Sequence, residues 1–213
     1  MPSLLPLAAL GLLLGVRHAT DADHVVAVTT IVSRQRSITR ASLVGAAWGA
    51  GHTLTILLVG GAILLLELTI PPRLGLAMEF AVALMLVGLG LHNLFGRTPH
   101  THETAGARPF LVGMVHGLAG SAAVALLVLT TVRDPWWGLG YLLVFGLGTM
   151  VGMMLVTAAI SAPALWAAGR MASLDRYLRL AAGAASVVFG LVLAHQIGVT
   201  DGLFGAHPMW DPH

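Results

Sequence analysis

Cysteine and lysine are both absent from this 213-residue chain, and charged residues of any kind make up only 9% of it. Without cysteine there are no disulfides and no thiolate metal sites. Without lysine there is no G-x4-G-K-[ST] phosphate-binding loop, so that device for using nucleotide energy is excluded. An HExxH zinc motif is missing as well. The scarcity of charge, set against 57% hydrophobic residues and a mean hydropathy of +0.87, excludes a water-soluble domain. What remains is an all-α integral membrane protein, read as a single transmembrane domain over residues 1–213.

Six apolar stretches reach the roughly 20 residues that a spanning helix needs. They run near Leu4–Val32, Ser42–Leu66, Leu74–Phe95, Phe110–Val132, Trp137–Ile160 and Leu178–Gly198. The basic residues are all arginines. Arg34, Arg36 and Arg40 follow the first stretch, Arg97 and Arg108 flank the loop after the third, and Arg170, Arg176 and Arg179 lie between the fifth and sixth. Only Arg73 and Arg133 fall on the other side. The positive-inside rule then puts both termini outside and the arginine-rich loops in the cytoplasm of an inner-membrane protein. The pI near 9.9 reflects that topology and calls for no nucleic-acid partner. Leu4–Val16 lacks the basic flank of a cleavable signal, and the apolar pattern resumes at Val25, so it reads as part of the first span.

The six stretches suggest two halves, about 1–96 and 110–198. His18 aligns with His116, Gly49-Ala50-Gly51-His52 with Gly146-Leu147-Gly148-Thr149, and the segment ending at His92 with the one ending at His195. Three spans per half gives a 3+3 inverted repeat, an architecture that places transporter sites at the interface of the halves.

The polar segment Arg17-His18-Ala19-Thr20-Asp21-Ala22-Asp23-His24 interrupts the first apolar stretch. Histidines and aspartates inside a membrane span are costly and mark a functional site. Imidazole nitrogens with carboxylate oxygens suit a divalent transition metal. A rise of about 1.5 Å per residue puts His18 and His116 each about 9 Å from the inner edge, and His52 about 15 Å deep. His18, His52 and His116 can therefore converge. On a straight helix His18, Asp21 and His24 share one stripe, and Arg17 pairs with Asp21 at i, i+4. Asp23 points about 140° away from His18 on such a helix. Either the helix unwinds near Ala19–Ala22, or Asp23 orients a histidine by accepting its other N–H.

Other polar positions carry weaker signals. Glu79 lies about 8 Å inside the outer edge, where it snorkels to the interface or attracts cations. His92 and His195 fall near membrane edges, and His100-Thr101-His102-Glu103 lies in a loop. Met150, Met153 and Met154 read as packing rather than a soft-metal site. Trp48, Trp136, Trp137 and Trp166 read mostly as interface aromatics. Gly11/Gly15, Gly45/Gly49 and Gly148/Gly152 are small-residue packing pairs.

His18-x4-Asp23-His24 resembles the H-x4-D-H signature of the NiCoT nickel/cobalt permease family, and Gly51-His52-Thr53 resembles that family's Gly-His-Ser/Thr motif. Val115-His116-Gly117-Leu118-Ala119-Gly120-Ser121 looks more like the shorter UreH branch, which is linked to urease maturation. The chain departs from the family in its shorter set of spans, in Thr29-Thr30 where an Asp-Asn pair is usual, and in the His116 segment where a Phe-Asp-Thr motif is usual. The resemblance implies a secondary transporter of Ni2+, with Co2+ as a second substrate. Its path would be built on His18, Asp23, His24 and His52. Asp21 and His116 join them as candidate ligands from the residues themselves. The metal is cargo, with no permanently bound cofactor expected, and the chain is not read as an enzyme. Efflux is the alternative direction, and a membrane haem protein or metalloenzyme the alternative class. The expected partners are the dication and the bilayer, with a homo-oligomer left open.

Overall fold

The computed structural model describes residues 4–33, 35, 37–96, 107–131, 134–168 and 172–210. Arg34, Arg36, Arg97, Arg133, Arg170 and His100–Glu103 lie outside these residues, and the side chains of Ser121 and Trp166 also lie outside the description. The fold is all-α. Helices α1 (Leu4–His18) and α2 (Ala22–Val32) are followed by α3 (Ile38–Thr55), a π-helical turn (Ile56–Gly60) and α4 (Gly61–Leu66). Then come α5 (Pro72–Phe95), α6 (Ala107–Thr131), α7 (Pro135–Ala168), α8 (Ala172–His195) and a second π-helical turn (Gln196–Thr200).

The expectation of six transmembrane helices is corrected here. Among the described residues, four helical segments are long and apolar enough to cross a membrane: Ile38–Leu66, Pro72–Phe95, Pro135–Pro163 and Arg176–Thr200. The first apolar stretch is two short helices, because its polar segment breaks it. The backbone turns over Ala19–Asp21, with Thr20 N–H donating to the Arg17 carbonyl at 2.8 Å and Asp21 N–H to the His18 carbonyl at 3.1 Å. Charge placement favours this break: Arg17 and His18 sit in the last turn of α1 and Asp23 in the first turn of α2, each complementing the helix dipole. The 3+3 inverted repeat rested on six spans and falls with that count; the outward placement of both termini rests on the arginine distribution and stays an expectation.

Helix α3 packs on α6 and α7, α1 on α7, and α5 on α8. Glycine permits the closest approaches. A Cβ on Gly51 would collide with the Phe110 carbonyl oxygen, and one on Gly113 with that of Trp48, so the α3 and α6 backbones touch. Gly15 meets the Phe145 carbonyl of α7 in the same way. The glycine pairs singled out as packing positions all contact neighbouring helices. Hydroxyls add cross-helix bonds, with Thr53 donating to the Gly146 carbonyl at 2.9 Å and Thr55 to that of Met114 at 3.0 Å. Ala27, Val28, Trp48, Val82, Leu86 and Met153 form a core joining α2, α3, α5 and α7. Large apolar side chains such as Leu58, Leu155 and Val188 are exposed on the outside, where lipid meets them. The protein is a multi-pass membrane protein.

Candidate metal centre

The helix break aims four histidines from four helices at one place. His18 closes α1, His24 lies in the first turns of α2, His52 in the last turns of α3, and His116 in mid-α6. The ring centroids of His18 and His24 are 4.6 Å apart, and His52 lies 5.2 Å from each of them. His116 lies 4.1 Å from His24 and 6.0 Å from His52. His24, His52 and His116 are each only 1% exposed, which leaves them almost no outside partner.

Both alternatives read from the sequence are realised together. The helix is broken, and Asp23 also orients histidines. Its Oδ1 lies 3.1 Å from His24 Nδ1 and its Oδ2 lies 3.1 Å from His116 Nε2. The His24 backbone N–H donates to the same Oδ1 at 2.9 Å. Asp21 does the equivalent for His18, with Oδ2 2.8 Å from Nδ1. No Arg17–Asp21 ion pair forms among the described residues; the break has carried Asp21 to His18 instead.

These contacts fix the tautomers by the logic of the network. An Asp-facing nitrogen carries the proton and donates it, so the other nitrogen of that ring offers a lone pair. Five ring nitrogens of these histidines are buried without a partner: His18 Nε2, His24 Nε2, both nitrogens of His52, and His116 Nδ1. Each unpaired buried group costs about 1–3 kcal/mol, which makes five in one spot a candidate ligand set. Two overlapping groups have ligand atoms within 4.8 Å of one another: His18, His24 and His52, and Asp23, His24 and His116. His24 belongs to both groups. All six candidate residues line one cavity of about 450 Å3.

A urease accessory protein UreH from Bacillus sp. (strain TB-90) is 37% identical to this chain over 220 aligned residues, which cover 94% of the chain and 96% of the relative. The chain belongs to the UreH family. No protein-family model matches the chain, and no solved structure matches it. The motif resemblance to the short UreH-like branch of the nickel/cobalt permeases agrees with that membership. UreH proteins are accessory proteins rather than enzymes, in keeping with the reading of the sequence.

Within this UreH-family chain, Thr53 of the Gly-His-Thr motif does not face the cavity. Its hydroxyl bonds the Gly49 and Gly146 carbonyls at 2.7 and 2.9 Å, pinning α3 against α7 one residue beyond His52. Trp48 was read as an interface aromatic; it is fully buried, its ring stacked 6.4 Å from His24 and edge-on 5.6 Å from His116. Its spacing of four from His52 on α3 is the signal that would have placed it beside the site. His92 and His195 are exposed and do not line the cavity. Met153 is buried in the core, as a packing residue should be.

Proposed function

We propose that this chain carries Ni2+, with Co2+ as a competing substrate, across the cytoplasmic membrane into the cell and so supplies urease maturation. One observation carries the reading: His18, His24 and His52 converge from three helices with unpartnered buried nitrogens. Three imidazoles suit borderline divalent metals of the nickel and cobalt kind better than Mg2+ or Ca2+, which take oxygen ligands. Asp23 and Asp21 raise the basicity of the ligating rings and hold their orientation. Their negative charge also compensates a dication inside the bilayer. Family membership supports the link to urease, because the Bacillus relative is named as a urease accessory protein.

The His24 ring lies 4.6, 5.2 and 4.1 Å from those of His18, His52 and His116, too close for a porphyrin to stand between it and any of them. That geometry argues against a haem protein. Inward movement of a dication is downhill by about 4.6 kcal/mol per 100 mV of inside-negative potential. A membrane potential alone is then a sufficient driving force. The test is 63Ni2+ accumulation by cells expressing the wild type or His52→Ala at equal membrane insertion, with and without excess Co2+. Uptake that is lost in the variant and suppressed by Co2+ is the expected result. Equal uptake by both proteins would overturn the assignment, and wild-type cells that accumulate less nickel than cells lacking the protein would reverse the direction.

A further inference from the structure

The cavity that holds the histidines extends beyond them. Its lining also includes Val82, Ala119, Leu193 and Ile197, all apolar, and one further carboxylate, Glu79. Glu79 lies on α5 about one helical turn from Val82, on the side of Pro72. A glutamate in an apolar setting of this kind is costly. The chain spends a whole segment on holding it in place. Trp210 donates its indole N–H to Glu79 Oε1 at 2.9 Å.

Trp210 reaches Glu79 because the segment after the second π-helical turn folds back over the end of the bundle. Gly202 reverses the chain at φ +76°, a conformation that favours glycine. Met209 N–H donates to the Asp201 carbonyl at 2.9 Å, and the Arg73 guanidinium donates to the Gly205 carbonyl at 3.1 Å. Phe204 packs edge-on to Phe80 with centroids 5.4 Å apart. The indole lies so close over Gly75 that a Cβ there would strike the ring. Residues far apart in sequence thus hold one carboxylate in the lining of the cavity that also holds the unpaired imidazoles.

We propose that Glu79 is the mouth of the metal path, an oxygen-donor station that takes a hydrated divalent cation before the histidines do, with Trp210 as its positioning residue. The inference rests on the transport reading above and deepens it. A carboxylate exchanges water ligands without demanding a fixed geometry, whereas three imidazoles bind tightly and release slowly. The apolar residues of the same cavity offer no ligand, so the cation moves by being attracted at the carboxylate and coordinated at the imidazoles. Glu79 therefore controls the rate of loading and leaves the strength of final binding to the histidines.

The experiment uses the full chain in proteoliposomes. The chain has no cysteine, so Leu193→Cys adds a single reactive thiol to the cavity. Equilibrium 63Ni2+ binding reports the histidine site, and 63Ni2+ flux under an imposed potential reports the path. The expected result is that Glu79→Gln leaves equilibrium binding unchanged and lowers flux at sub-saturating nickel by about tenfold, the gain a charged mouth gives to cation capture. Glu79→Asp recovers part of that loss, and Trp210→Phe, which keeps the carboxylate but removes its donor, falls between. Flux that is unchanged in Glu79→Gln would overturn the proposal. So would a loss of binding as complete as that of His24→Ala, which would make Glu79 a ligand of the histidine site. If the wild type binds nickel but passes none, the transport reading has failed, and the thiol decides about Glu79 separately. Faster reaction of Leu193→Cys with a cationic than with a neutral thiol reagent, abolished by Glu79→Gln, supports the mouth; equal rates with and without the carboxylate refute it.

Discussion

The α5–α8 pair and the α1–α2 break treat polar groups in opposite ways. Between α5 and α8, Ser186 donates to the Leu86 carbonyl at 2.8 Å and Asn93 to that of Arg179 at 3.1 Å. Gly90 and Gly183 bring the two backbones together. These hydroxyl and amide groups meet carbonyls that would otherwise face hydrocarbon, and they serve as glue. At the break, aspartates hold one nitrogen of a histidine and leave the other without a partner. A polar group that is satisfied stabilises the bundle. A polar group oriented and left unsatisfied is reserved for something that arrives later.

Substitutions can break this contrast, and the largest effect belongs to the shared ligand. His24 belongs to both candidate groups, so His24→Ala removes nickel binding altogether while the helices still insert; equilibrium dialysis of the purified protein measures it. Next is the support of the rings. Asp23→Asn keeps its size but loses the charge, and nickel affinity falls by about 10- to 100-fold, as read by a competition titration with a chelator. Thr53→Val loses the bond that pins α3 to α7 and costs about 0.6 kcal/mol of stability, with nickel affinity reduced only slightly. Ser186→Ala is the sharpest control. It costs a similar ~0.6 kcal/mol in thermal stability in detergent and leaves nickel affinity untouched. If Ser186→Ala weakened nickel binding as much as Asp23→Asn, the division between glue and site would be lost.

Much of the site was legible because its residues carry chemistry that a span does not otherwise tolerate. His18, Asp23 and His24 announced themselves by cost, and a simple count of helical rise brought His52 and His116 to compatible depths. The first expected span failed at the same residues, since a hydropathy window runs through a few polar positions whereas the backbone turns at Ala19–Asp21. The dipole-complementing order of Arg17 and His18, then Asp21 and Asp23, was the available sign of that turn. Asp21 and Asp23 were sorted by direction around a straight helix, and the break replaced that geometry with His18 as partner of Asp21 and with His24 and His116 as partners of Asp23. Trp48 was hidden because tryptophan in a membrane chain normally marks an interface. The role of Glu79 depends on Trp210, 131 residues away, and no local pattern reports such a contact.

The central claim is that the unpaired nitrogens of His18, His24 and His52 hold one dication. Nickel-edge X-ray absorption on the purified, nickel-loaded protein tests it most directly. The expected spectrum shows about three imidazole ligands with their outer-ring scattering, and His52→Ala loses one of them. A nickel ion surrounded only by oxygen, with the same spectrum in wild type and His52→Ala, would contradict the account.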